Sequence, residues 1–112
     1  MSNSWISKAA RLSIYERDAY TCCYCAKVCC HYNDRTNNMD YATLDHIISR
    51  LDLALAHQGI DLKEAIKNRR NLVTVCNACN CSKQETSLYV WAIATGKDFY
   101  AIHTEITRRI NS

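Results

Sequence analysis

Two Cys-x-x-Cys pairs, Cys22/Cys25 and Cys76/Cys79, constrain this chain more than any other feature. Two-residue spacing lets one tight turn aim both sulfurs at a single tetrahedral metal, and two such turns complete a four-thiolate site. About fifty residues separate the pairs, so a shared ion would close a long loop and clip the start of the domain to a strand–helix corner. Cys23, Cys29, Cys30 and Cys81 are near neighbours and alternative ligands, but the two-residue spacing favours the four named. Zinc held by four thiolates has no open position, so such a site holds the fold and does no chemistry. The competing readings are a reduced, buried set of thiols or a disulfide framework.

A staple matters at this length. The 112 residues make one domain, a size at which the buried core is limited. The hydrophobic fraction of 48% is that of an ordinary globular protein. The start, Met1-Ser2-Asn3-Ser4-Trp5, has no apolar leader, and no apolar run is long enough to span a bilayer. We therefore expect a soluble, cytoplasmic protein, in which eight thiols favour metal over disulfides. The formal charge is +3, and four thiolates on one Zn²⁺ lower it to roughly +1. Any affinity for nucleic acid must then come from clustered charge and a bound metal.

Periodicity and capping residues give the outline. Ser7 to Tyr20 reads as a helix, with Ala10, Ile14 and Ala19 on an apolar face and Leu12 and Tyr15 at its edges. The first knuckle follows, then a polar, Asn-rich loop from Cys29 to Asp40. Tyr41 to Ile48 is β-like. Leu51 to His57 is a short helix with Gly59 beyond its end, and Asp61-Leu62-Lys63-Glu64 opens another as a capping box. Leu72 to Val75 is a second strand running into Cys76. A helix then reaches to about Thr95, stopped by Gly96, and Asp98 caps a last helix carrying Ile102, Ile106 and Ile110 at helical spacing. That stripe reads as core, with a dimer interface as the alternative.

Within the first strand, Leu44-Asp45-His46-Ile47-Ile48 places two polar, metal-competent side chains side by side in an otherwise apolar run. The order of pieces around it resembles the HNH endonuclease family in its zinc-stapled, ββα-metal form. Ile14-Tyr15-Glu16-Arg17-Asp18 leads into Cys22-x-x-Cys25, Asp45-His46 follows, and Asn71-Leu72-Val73-Thr74-Val75-Cys76-Asn77-Ala78-Cys79-Asn80-x-x-Lys83 completes it. The resemblance covers Ile14 to Lys83, about two thirds of the chain. It departs from the family pattern where Ala26 replaces the usual glycine after the first knuckle. Ser49 stands near the place of a common proline. The connection from Arg50 to Arg70 lacks a frequent glycine pair and carries helices instead.

The resemblance implies an α+β fold: one small domain over 1–112, with a ββα-metal core at about 14–95 and a C-terminal helix at about 98–111. It implies that His46 is the general base, that Asn71 braces the connection between the strands, and that Asp45 and Asn80 hold a catalytic Mg²⁺ or another divalent ion such as Mn²⁺. Asn80 stands at the last signature position, making this an H-N-N variant, and Lys83 matches the basic residue that follows on the helix. The activity implied is hydrolysis of DNA, double-stranded by expectation, leaving 5′-phosphate and 3′-hydroxyl ends. The setting would be a phage, a restriction system or a mobile element, in the host cytoplasm if phage-encoded.

The chemistry suits these residue types. A neutral imidazole titrates near the operating pH and can take a proton from water. A Mg²⁺-like ion needs few protein ligands and prefers oxygen, so one carboxylate and one amide suffice. Consecutive strand residues point to opposite faces, so Asp45 and His46 can serve one phosphate only at the strand's exit. Lys67, Arg69, Arg70 and Lys83 are candidate DNA contacts, Lys63, Arg108 and Arg109 are further basic residues, and a homodimer or a partner protein is a candidate assembly. A non-catalytic zinc-containing module that binds nucleic acid is the alternative. A zinc-held protein-interaction domain and an RNase are the other rivals.

Overall fold

A computed structural model describes residues 5–31 and 39–112, and of Leu51 the backbone alone. The expectations placed on the first four residues, and on 32–38 of the Asn-rich loop, lie outside the described residues. The elements run α1 (Lys8–Arg17), β1 (Ala42–His46), α2 (Arg50–Ala56), α3 (Gly59–Ile66), a 3-10 turn (Arg69–Asn71), β2 (Leu72–Cys76), α4 (Asn77–Lys83), α5 (Leu88–Thr95) and α6 (Phe99–Ile110). The fold is α+β. β1 and β2 pair antiparallel with Ala42 opposite Cys76 and His46 opposite Leu72, and α4 follows β2 directly to complete a ββα unit.

β2 reads Leu-Val-Thr-Val-Cys because it is buried along its whole length. Helices α1, α4 and α6 all pack against it, so both of its faces need side chains that favour a dry environment. Leu72, Val73 and Val75 are fully enclosed, and Ile14, Tyr15, Trp91, Ile102 and Ile106 close around them. Each such side chain contributes about 1.5–3 kcal/mol on burial.

Charged residues lock this core to the helices. Asp18 accepts from the Thr74 amide at 2.8 Å and pairs with Arg17 at 2.7 Å. Arg17 also donates to the Leu72 carbonyl at 2.6 Å. From α6, the buried Arg109 donates to the Thr21 carbonyl at 2.7 Å and pairs with Glu105 at 2.6 Å.

Several local expectations are corrected. α1 ends at Arg17, and the residues it buries are Arg11, Ile14 and Tyr15 rather than Ala10 and Ala19. Ala19 and Tyr20 instead take left-handed conformations, each with φ 52°, which ends a helix sharply. Gly59 opens α3 rather than closing α2, so Asp61 falls in the first turn and does not cap it. The expected long helix up to Thr95 is two: α4 stops where Gln84 turns left-handed, and α5 restarts with the Ser87 hydroxyl capping Val90. Gly96 does end α5, and Asp98 does cap α6 through the Ala101 amide. Ile102 and Ile106 are core.

Candidate metal and active site

The Sγ atoms of Cys22, Cys25, Cys76 and Cys79 all lie within 4.8 Å of one another, and Cys25 and Cys76 approach to 3.8 Å. A tetrahedron built on metal–sulfur bonds of about 2.3 Å has edges of about 3.8 Å, so the donor set fits zinc. None of the eight cysteines is joined to another. The knuckle is shaped by its backbone: the Cys22 amide donates to the Lys27 carbonyl at 2.8 Å, the Ala26 amide to the Cys22 carbonyl at 2.9 Å, and the Tyr24 amide to Cys22 Sγ at 3.4 Å. Ala26, where the family pattern has glycine, is held at φ 66°. A hydrogen bond from the Cys79 thiol holds Cys22 well below the ordinary thiol range, which suits its sulfur to a cation. Cys23 and Cys29, pushed up to about 12 by burial, stay protonated. The four cysteines are thus positioned to hold a metal ion.

Asp45 and His46 are the last two residues of β1 and point to opposite sides. Asp45 is buried between the knuckle and α4. Its Oδ2 accepts from the Tyr24 hydroxyl at 2.5 Å and pairs with Lys83 Nζ at 3.0 Å. Burial and the Asp45 charge hold the Tyr24 phenol well above its usual range, so it remains a donor. Among the described residues Oδ1 of Asp45 accepts no hydrogen bond. Asn80, from the middle of α4, donates through Nδ2 to Thr43 Oγ1 at 2.9 Å and to the Leu44 carbonyl at 3.4 Å. A carbonyl can only accept, so the amide nitrogen faces β1 and the amide oxygen is turned away from it. Asp45 and Asn80 therefore each keep one oxygen without a hydrogen bond among the described residues, and a carboxylate with an amide is the kind of donor pair that fits a Mg²⁺-like ion.

On the other side, His46 Nε2 lies 2.8 Å from the Ile66 carbonyl. That acceptor fixes the hydrogen on Nε2 and leaves Nδ1 as the basic atom of the neutral ring. Burial pushes the imidazole below its ordinary pKa, against the Ile66 hydrogen bond, and the charge of Arg50 adds to the depression. The Trp5 ring stands over it, with centroids 5.1 Å apart.

Asn71 clasps the connection that follows. Its Oδ1 accepts from the Ile48 amide at 2.7 Å, and its Nδ2 donates to the Ile48 carbonyl at 3.0 Å. The backbone leaving His46 is thereby bound to the residue entering β2.

The basic residues divide. Lys83 is 3% exposed and sits inside the site on Asp45. Arg69 and Arg70 are exposed, yet Arg69 reaches Ser13 and Arg70 reaches Asn111 and the end of α6. Lys67 is exposed and pairs with Glu64 at 3.2 Å. Arg109 is buried structure, and Arg108 pairs with Glu105 on the surface. Tyr24 is the site residue that sequence reasoning missed. Its position between two metal cysteines is the only signal it carries in the sequence.

No family model matches the chain, and no curated protein matches it. Among solved structures it is similar to the Type II-C Cas9 enzyme from Actinomyces naeslundii, with a TM-score of 0.55 and 24% identity, over 99% of this chain and 12% of that one. At that identity the likeness is one of fold. No helix among the described residues is long and apolar enough to cross a membrane.

Proposed function

We propose that this protein is a divalent-metal-dependent endonuclease of the HNH type, hydrolysing phosphodiester bonds in DNA. The observation that carries the reading is that the exit of β1 bears, on one side, a neutral imidazole with Nδ1 free and, on the other, a carboxylate and an amide that each keep one oxygen. His46 takes the proton of the attacking water at Nδ1, while the Ile66 carbonyl holds the ring's other nitrogen in its tautomer. Asn71 keeps the strand exit rigid, so the imidazole keeps its aim. Asp45 and Asn80 would hold a divalent ion, which supplies positive charge to a phosphate oxygen and to the departing 3′-oxygen. Tyr24 and Lys83 orient Asp45 by occupying its other oxygen. The likeness in fold to part of a Cas9 enzyme supports the same reading.

One observation favours a second reading. The Tyr24–Asp45–Lys83 cluster is internally neutralised, which is also how a purely structural carboxylate is kept. On that reading the chain is a non-catalytic, zinc-containing module that binds nucleic acid.

Supercoiled plasmid separates the two. Purified, zinc-loaded protein should nick it on addition of Mg²⁺ or Mn²⁺, and His46→Ala should lower the rate by about 10²–10⁴-fold while leaving DNA binding intact. Plasmid that stays supercoiled with folded protein across both metals, yet is retained in a gel shift, establishes the binding module instead.

A further inference from the structure

The connection between the strands, where the chain departs from the family pattern, builds a cavity of about 340 Å³ against the His46 side of the sheet. Among the described residues its walls are Trp5, Arg50, Lys63, Ile66 and Lys67. Two of these touch the proposed base: Trp5 through its ring and Ile66 through its carbonyl. Three are exposed cations, and one of the three, Lys67, has a carboxylate partner in Glu64.

Local helix energetics account for the placement of these charges only in part. Arg50 stands in the first turn of α2, where the positive helix end disfavours a cation, although Asp52 in the same turn offsets part of that. Lys63 in the last turn of α3 and Lys67 at its C-cap sit where the negative helix end favours a cation, but at a spacing of four residues the two like charges repel each other. The Arg50 guanidinium lies over the Trp5 ring at 5.7 Å, which keeps it beside the cavity. Converging cations with a low-dielectric aromatic wall focus positive potential on the space between them, and an oxyanion of phosphate is the ligand that field selects.

We infer that this cavity binds a backbone phosphate of the nucleic acid next to the one that His46 serves. Arg50 and Lys63 hold its oxygens, and Trp5 is a fixed wall between that phosphate and the imidazole. The inference rests on the proposed function for the identity of the strand and adds the contacts that position it.

The test measures binding of a labelled DNA duplex by fluorescence anisotropy, without divalent ion so that no cleavage occurs, between about 50 and 200 mM salt. The full zinc-loaded chain is compared with Arg50→Gln/Lys63→Gln and with Arg108→Gln, which removes an exposed charge from α6. One lost phosphate contact makes the slope of log affinity against log salt shallower by about 0.9. That change is expected in the double variant and not in Arg108→Gln. An unchanged slope in the double variant, or an equal change in both variants, overturns the inference. So does thymidine 5′-monophosphate displacing the duplex at equimolar amounts, since the cavity would then be a mononucleotide site. Failure of the nuclease reading looks different: plasmid stays uncut while the slope still changes as expected. If wild-type protein binds no duplex at any salt, both fall together.

Discussion

Tyr24 and Asp45, 21 residues apart in sequence, are joined by a hydrogen bond of 2.5 Å from the phenol to the carboxylate. Tyr24 lies between two of the four cysteines positioned to hold a metal ion, so the bond ties that knuckle to the carboxylate at the exit of β1. Removing the hydroxyl leaves Oδ2 of Asp45 with Lys83 alone and lets the carboxylate rotate. Tyr24→Phe is expected to keep its zinc content and to destabilise the fold by about 1–3 kcal/mol. It should also raise the Mg²⁺ concentration for half-maximal nicking about tenfold, the equivalent of about 1.4 kcal/mol. A metal titration identical to wild type would show that Tyr24 packs against Trp91 and does no more.

Lys83 gives a sharper test of whether Asp45 is buried as an ion. Its ammonium lies 3.0 Å from Oδ2, with 3% of the lysine side chain and 10% of the aspartate side chain exposed. Lys83→Met strands a carboxylate with one neutral donor, and breaking a buried pair in this way costs about 3–5 kcal/mol. Adding Asp45→Asn removes the stranded charge and should restore much of the loss. Urea unfolding of the two single variants and the double variant measures the coupling, and additive losses would contradict the pairing.

What could be read from sequence follows from how local each feature is. The strands, the two knuckles and the caps at Asp98 and Gly96 are written in neighbouring residues, and the structure has them within a few positions. The cysteine cluster was legible because tetrahedral metal coordination imposes a spacing on the chain. The break between α4 and α5 was not, because the left-handed turn sits on Gln84, a residue with no turn preference of its own. Arg11 carries no apolar signal, yet it is buried, lying 5.8 Å from the Trp5 ring centroid. That partner lies before α1 and leaves no mark in the helix's periodicity. Lys83 reads in sequence as a surface cation and is buried because Asp45 reaches it from another element. Contacts of this kind exist only once the fold has formed.

Metal removal should act on stability well beyond the knuckles. A shared ion closes a loop of about fifty residues between Cys25 and Cys76, and the chain-entropy relation gives about 4 kcal/mol for such a closure. We expect one zinc per chain, released by a chelator together with a marked drop in the thermal midpoint. Cys76→Ser should abolish zinc retention. Cys81→Ser should not, because that thiol is exposed and directed at Asn77 Oδ1, 3.6 Å away. Zinc content by colorimetric release, measured beside each melting curve, decides the ligand set. Equal zinc loss in both variants would reassign it.

Glu105 on α6 gives the fold a pH dependence. Glu105 is held at about 2, first by its hydrogen bonds to Arg108 and then by Arg109. Its folded value is therefore below that of the unfolded chain. The unfolded state takes up the proton first as pH falls, so stability is lost between about pH 5 and pH 2 and is fully present above that window. About a third of the Glu105 side chain is exposed, and solvent screening reduces the contribution to about 1 kcal/mol. Its structural weight lies in Arg109, which is 3% exposed and carries the link from α6 to the Thr21 carbonyl. Glu105→Gln should therefore be less stable than wild type by about 1 kcal/mol at neutral pH. The two proteins should converge as the pH approaches 2. Denaturant midpoints across that range measure it, and a difference that persists unchanged at low pH would mean that Glu105 acts by packing and not by charge.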